Sequence, residues 1–447
     1  MADISVPWDR GELSIALPEN WTVRQVAEPE LRPAPDDWPV RLARALTQPD
    51  SGLPLGKLLT ARKNGRIAIL LEDVTRHSPL PQVLEPILRE LKHSGISPEQ
   101  VELFFCTGMH PAMTKTQVRE KIGDLADQYA WRSNPWHIPE DYVRVGTVDG
   151  QAVRIDRRIA EADLRIVVSS VSPHLQAGFG GGYKMFLPGC ASLETIRLLH
   201  RRGLGRKARQ RVGIGAARNH MRAFIEAAGG LVDACHGKTF AVQYLLDGNN
   251  LPTSIVAGDA ADTQEMLTKQ CSVSCGVVVS EPADVVITNA YPRDYDLWQS
   301  FKGVANAQWA ARPGGVIICL THCPAGMEDM NPPKWPVSPA WTRRVLRVLK
   351  PAALSSLITR LVPSLAGDAA FFVRMGLQTI HRNPVMFVSP TLAEQGPFPA
   401  VDIFARFDQA SAATRRILGE GPQRVVVFPQ GGITYPIPRP QTIAPAV

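Results

Sequence analysis

The chain has 447 residues, enough for two or three domains with separate cores. With 45% hydrophobic and 20% charged residues it is not a disordered chain. The formal charge of +7, from 49 basic against 42 acidic residues, is mild, and the basic run at 197–211 lacks interleaved aromatics, which argues against nucleic-acid binding. Seven scattered cysteines, an odd number, indicate a reducing compartment and buried thiols rather than a disulfide scaffold. Neither Cys271-x-x-x-Cys275 nor His322-Cys323 has a usual zinc spacing. The opening MADISVPWDRGEL shows no basic-then-apolar leader, and no apolar run approaches membrane-spanning length. A cytoplasmic protein without a membrane partner is expected.

Taken in order, short strands are predicted at 4–6 and 13–17, followed by a proline-rich connection over 28–39. RIAILL (66–71) reads as a buried strand that ends in Glu72-Asp73-Val74-Thr75-Arg76-His77, with a helix over 79–92 after it. A strand over 101–106 runs into Thr107-Gly108-Met109-His110, and one over 164–168 ends near His174. A hairpin is predicted over 240–258 around Asp247-Gly248-Asn249-Asn250, then a helix to about Lys269. A second unit starts near Cys275, with strands at 284–287, 315–320, 385–388 and 424–428 and helices near 297, 341–349, 369–381 and 408–418. The tail TYPIPRPQTIAPAV reads as extended.

Apolar strands alternating with amphipathic helices predict α/β architecture: two α/β domains with mostly parallel sheets facing an interdomain cleft. The predicted domains are 1–275, binding a cofactor, and 276–447. Ligands of such sheets bind beyond the carboxyl ends of strands, where Asp73, Arg76, His110 and His174 all fall. In the helix near 297, Gln299 and Lys302 share a face close to the positive terminus, a place suited to a carboxylate.

The most distinctive stretch is SPHLQAGFGGGYKMFLPGCASLETIRLLH, from Ser172 to His200. Four glycines in five positions (178, 180, 181 and 182) precede Lys184, and a Pro188-Gly189 turn leads into a helix ending near His200. Such a loop suits a phosphate, and a lysine beyond it can pair with that phosphate or act as a nucleophilic amine. It is not a P-loop, because Tyr183 precedes Lys184 and Met185 follows it.

Four segments in this order, EDVTRHSP, CTGMHPAMT, the Ser172–His200 stretch and DYDLWQSFKG, resemble the nickel-pincer-nucleotide-dependent lactate racemases and their 2-hydroxyacid racemase and epimerase relatives. The resemblance runs from Leu13 to about Gly326. It implies a nickel-pincer nucleotide, a pyridinium mononucleotide thioamide, attached covalently to Lys184, with His200 as the protein's nickel ligand. It further implies His110 and His174 as catalytic residues. Asp73, Thr75, Gly180, Gly181 and Gly182 would bind the cofactor, and Arg76, Gln299, Lys302 and Trp298 a small-molecule 2-hydroxy acid. Cofactor maturation enzymes are implied as partners, and a homo-oligomer is left open. Where the family usually reads GFSGGRK this chain has GFGGGYK, and Trp298 replaces a usual tyrosine.

Two other classes compete. One is a nucleotide- or phosphate-binding transferase using the glycine loop and Lys184, against which the missing GK[ST] counts. The other is a non-catalytic carrier of the nickel nucleotide, which predicts loss of His110 or His174, and both are present.

Overall fold

The structure, a computed structural model, describes residues 3–204, 209–327, 337–362, 365 and 369–437. The chain divides into two compact units: Leu31–Gly203 with Ile214–Ser274, here the first unit, and Met1–Glu30 with Leu204–Gly213 and Cys275–Val447, the second.

The first unit is built on a six-stranded sheet in the order Pro252–Gly258, Lys238–Leu246, Leu164–Ser170, Ile67–Leu71, Val101–Phe105 and Ala130–Ser133. All pairs are parallel except the hairpin joining the first two strands. Ile67–Leu71 is apolar throughout and Leu164–Ser170 is buried at every position, because both faces of the sheet are covered there. Ile67, Ile69 and Leu71 enter one core and Ala68 and Leu70 the other. Strand order runs outward in both directions from Ile67–Leu71 and Leu164–Ser170, which makes the gap between their carboxyl ends the topological switch point.

The second unit has a six-stranded, wholly parallel sheet in the order Asp402–Phe404, Val385–Val388, Ala311–Leu320, Ala283–Asn289, Gln423–Phe428 and Trp21–Val26. Its switch point falls beside Ala283–Asn289, whose carboxyl end leads into helix Leu297–Ala307.

The chain passes from the first unit to the second at Ser274–Cys275, and Met1–Glu30 belong to the second unit. Strand Trp21–Val26 pairs with Gln423–Phe428, so the chain begins in the second unit. This strand alternates buried and exposed residues, as an edge strand does, and that pattern carries no label for its partner. The strand pairs at Asp3–Trp8 with Gly11–Ala16 and at Lys238–Leu246 with Pro252–Gly258 form near their expected positions. Helix Trp38–Thr47 and the hairpin Tyr142–Val148 with Gln151–Asp156 were not anticipated. Within the tail, Tyr435–Ile437 is a strand paired with Gly276–Val278, and 438–447 lie outside the described residues, as does 205–208 of the basic run. Among the described residues no helix is long and apolar enough to cross a membrane.

Candidate active site

The two loops at the first unit's switch point are tied together by Glu72. Its buried carboxylate accepts from the backbone N–H of Ser170 at 2.9 Å and from the hydroxyls of Ser170 and Ser78. That anchor fixes the next residue, Asp73. One Asp73 oxygen accepts from the Thr75 N–H (3.0 Å) and hydroxyl (2.6 Å), and the other lies 2.9 Å from His110 Nδ1. Burial alone would raise the Asp73 carboxyl, but the bond to His110, the charges of His110 and Arg76, and Thr75 outweigh it and hold the group well below the carboxylate range. A carboxylate there places the neutral His110 proton on Nδ1 and presents Nε2 as an acceptor. Arg76 donates to Thr75 Oγ1 at 3.0 Å, and its own carbonyl accepts from Lys121.

Lys184 lies on the short turn Gly182–Met185, in a stretch where nearly every side chain is buried. Burial pushes its ammonium down to about 8, helped by the charges of Arg76 and Arg222 and opposed by Asp73. About a tenth of the amine is then neutral, and nucleophilic, at pH 7, far more than for an ordinary lysine. Two of the glycines before it are also required by packing. Gly181 and Gly182 adopt positive φ, and a Cβ on Gly182 would sit 2.6 Å from Gln264 Oε1. Gln264 in turn donates to the Gly180 carbonyl at 2.9 Å. These two glycines pack inward against a helix some eighty residues further on; Gly180 alone has ordinary space beside it.

His174 pairs in antiparallel register with Gly178, at the mouth of the same turn. Its Nδ1 accepts from the Ala177 N–H at 3.0 Å and the Gln176 N–H at 3.3 Å. The neutral ring therefore carries its proton on Nε2, the opposite tautomer from His110. His200 occupies the last turn of helix Leu193–Gly203. Among the described residues no three His, Cys, Asp or Glu side chains converge as a metal site. A single histidine donor fits a metal whose other donors come from an organic group, and the Lys184 amine fits the attachment of such a group.

In the second unit, Asp296 caps helix Leu297–Ala307, its carboxylate accepting from the Gln299 N–H at 2.6 Å. The positive helix terminus is thus already met by a side chain, and the expected carboxylate pair stands without it. Lys302 donates to Gln299 Oε1, which turns the Gln299 amide nitrogen outward as a donor. Trp298 lies one turn from Lys302 and meets the ring of Phe372 at a centroid distance of 4.0 Å and an interplanar angle of 76°.

Sequence reasoning found the residues at strand ends but missed those that brace them. Glu72 stood beside Asp73 in the quoted EDVTRHSP; Gln264, Arg222 and Phe372 had no local signal, since each acts on residues distant in the chain.

A doubly wound unit with Asp73, Arg76, His110 and Lys184 gathered at its switch point defines a class: an α/β enzyme scaffold with an activated lysine and a carboxylate-oriented histidine. Residues 8–213 match the lactate racemase N-terminal domain model and residues 278–330 the lactate racemase C-terminal domain model, together more than half of the chain. The chain belongs to the lactate racemase family. It is 28% identical to the lactate racemase of Thermoanaerobacterium thermosaccharolyticum over 338 residues, covering 73% of this chain and 76% of that one. It is 25% identical to the lactate racemase of Lactiplantibacillus plantarum over 342 residues, covering 74% and 76%. The fold matches that of the T. thermosaccharolyticum lactate racemase apoprotein with a TM-score of 0.79 at 22% identity, over 98% of this chain and 100% of that one. A Thermotoga maritima protein of solved structure matches with a TM-score of 0.61 at 17% identity, over 89% and 97%.

Proposed function

We propose that the chain is a racemase or epimerase that inverts C2 of a 2-hydroxy acid, using a nickel-pincer nucleotide attached to Lys184. The observation that carries this is the place of Lys184 on the turn Gly182–Met185, within the charge field of Asp73 and its partner His110, where burial lowers the ammonium to about 8. Lys184 and His200 would hold the group, with Asp73, Thr75, Gly180, Gly181 and Gly182 as further anchors, and Arg76 would bind the substrate. When bound, it would supply hydride-acceptor chemistry at C2 of the substrate.

The protein's own residues manage the proton and the carboxylate. The C2–H of a hydroxy carboxylate is too weak an acid for a histidine near neutral pH, whereas the hydroxyl proton is within reach as hydride departs. His110 Nε2 takes that proton while Asp73 stabilises the imidazolium formed. His174 presents Nε2–H toward an oxygen and must surrender its backbone bonds to act as the base in its turn. Each histidine serves one enantiomer. Gln299 and Lys302 hold the carboxylate through an amide donor and a cation. The chain made alone should be apo. Made with cofactor maturation enzymes, it should gain mass on the peptide containing Lys184 and bind about one nickel per chain, by the family resemblance. Active protein with an unmodified Lys184 would refute the proposal.

A further inference from the structure

The first unit holds a pair of thiols that the proposed reaction does not use. Cys106 follows strand Val101–Phe105 and stands four residues before His110, while Cys190 stands six residues after Lys184. Their sulfurs meet at 3.6 Å although 84 residues separate them in the chain. The two segments are held side by side around that contact. The Gly108 N–H donates to the Gly189 carbonyl at 3.1 Å. The buried Asn134 amide donates to the carbonyls of both Gly108 and Ala191, at 2.8 and 3.0 Å. Gly189 packs directly on Cys106, since a Cβ there would stand 2.7 Å from the Cys106 Cβ. The sulfurs differ in access. Cys106 is half-buried, whereas Cys190 is fully buried and its thiol donates to the Met185 carbonyl at 3.1 Å. Burial, and after it the bond to Cys106, pushes the Cys190 thiol well up.

We infer that Cys106 and Cys190 are a redox-active pair, an oxidation site for peroxide that closes to a disulfide and ties the His110 loop to the Lys184 turn. Cys106, the sulfur within reach of solvent, attacks one oxygen of hydrogen peroxide as its thiolate. The O–O bond breaks, hydroxide leaves and takes up the proton the thiol gave, and Cys106 becomes a sulfenic acid. Cys190 then attacks that sulfur. The S–S bond forms, the S–O bond breaks, and the oxygen leaves as water with the Cys190 proton. Two thiols thus lose two electrons, and one peroxide becomes two waters. A disulfide bond is about 2.0 Å long, so each sulfur need move by only about 0.8 Å. Disulfides of reducing compartments are as a rule transient and redox-sensing, which suits a pair beside a candidate active site better than a scaffold role. The inference requires neither the cofactor nor the 2-hydroxy acid.

The test uses the full apo chain, treated with hydrogen peroxide, alkylated in denaturant with N-ethylmaleimide and digested without reductant. The expected product joins the Cys106 peptide to the Cys190 peptide, lighter than the two thiol peptides by two hydrogen atoms and released by dithiothreitol. In Cys190→Ser, Cys106 lacks its resolving partner and should pass on to sulfinic acid, which dithiothreitol does not reverse. In Cys106→Ser, the buried Cys190 should remain alkylatable after the same dose. The cross-link should also slow amide hydrogen exchange over 106–110 and 184–190, and neither serine variant should show that slowing. Both cysteines fully alkylated after peroxide, or Cys106 sulfinic acid without a cross-link in the unsubstituted chain, would overturn the pair. A cross-link that forms and leaves exchange unchanged would overturn the tie between the two segments.

Discussion

At the strand ends of the first unit, charge is packed densely: Asp73, Arg76, His110 and Lys184 shift or orient one another, and burial makes those effects large. At the corresponding end of the second unit, helix Leu297–Ala307 offers one cation, one amide and an aromatic corner, with its terminus already capped. The first arrangement sets protonation states; the second, in the proposed reading, would bind the substrate's carboxylate. Substitutions in the first should therefore abolish chemistry, and those in the second should change how tightly acids bind.

The largest effect is expected for Lys184→Ala, which should leave no covalent adduct by peptide mass spectrometry and no activity above background. Detectable adduct elsewhere with full turnover would break the comparison at its strongest point. His110→Ala should lower kcat/KM by roughly 10²–10⁴-fold. Because two enantiomers have equal free energy, the loss must be the same in both directions. Asp73→Asn, which keeps the shape and removes the charge, should cost about 1.5–3 kcal/mol, one to two orders of magnitude.

Lys302→Ala should weaken every accepted acid by a similar factor, again about 1.5–3 kcal/mol for a lost charge-assisted contact. A change confined to side-chain preference, measured over a panel of acids, would assign Lys302 to the selective rather than the carboxylate-binding part.

The pH dependence of Lys184 sharpens the contrast without turnover. A lysine with a folded-state value of about 8 is neutral over more of the alkaline range than one at 10.5. Labelling of Lys184 in apo chain by an amine-reactive reagent should therefore rise through pH 8, with exposed Lys269 as an internal reference. Equal pH profiles for the two would remove the case for an activated amine.

The smallest effects separate packing from cradling in the glycine turn. Gly182→Ala places a Cβ against Gln264 at positive φ and should destabilise the fold by about 1–3 kcal/mol, read by thermal or chemical unfolding. Gly180→Ala, with nothing nearer than 3.6 Å, should cost about 0.5 kcal/mol or less.

The buried strands were legible because a strand covered on both faces is written mostly in apolar residues; Ile67–Leu71 is apolar throughout, and Leu164–Ser170 is buried at every position although it carries Arg165, Ser169 and Ser170. Their carboxyl ends then led to Asp73, His110 and His174 by rule. What could not be read was pairing across long separations. Trp21–Val26 joins a strand four hundred residues away, and its half-polar pattern would suit an edge of either sheet. Composition showed the glycines as backbone freedom and did not report that Gln264 packs against Gly182. Likewise the positive terminus of helix Leu297–Ala307 was visible, while its occupation by Asp296 depends on a rotamer.

The central claim is that His110 and His174 exchange the hydroxyl proton of the substrate and leave its C2 hydrogen to the group on Lys184. Cofactor-loaded chain should be given one pure enantiomer in D2O and the inverted product examined at C2 by mass spectrometry and NMR. Retention of the original hydrogen at C2 is the predicted result. Wholesale deuterium at C2 would show that the histidines abstract the carbon-bound proton directly, contradicting the account.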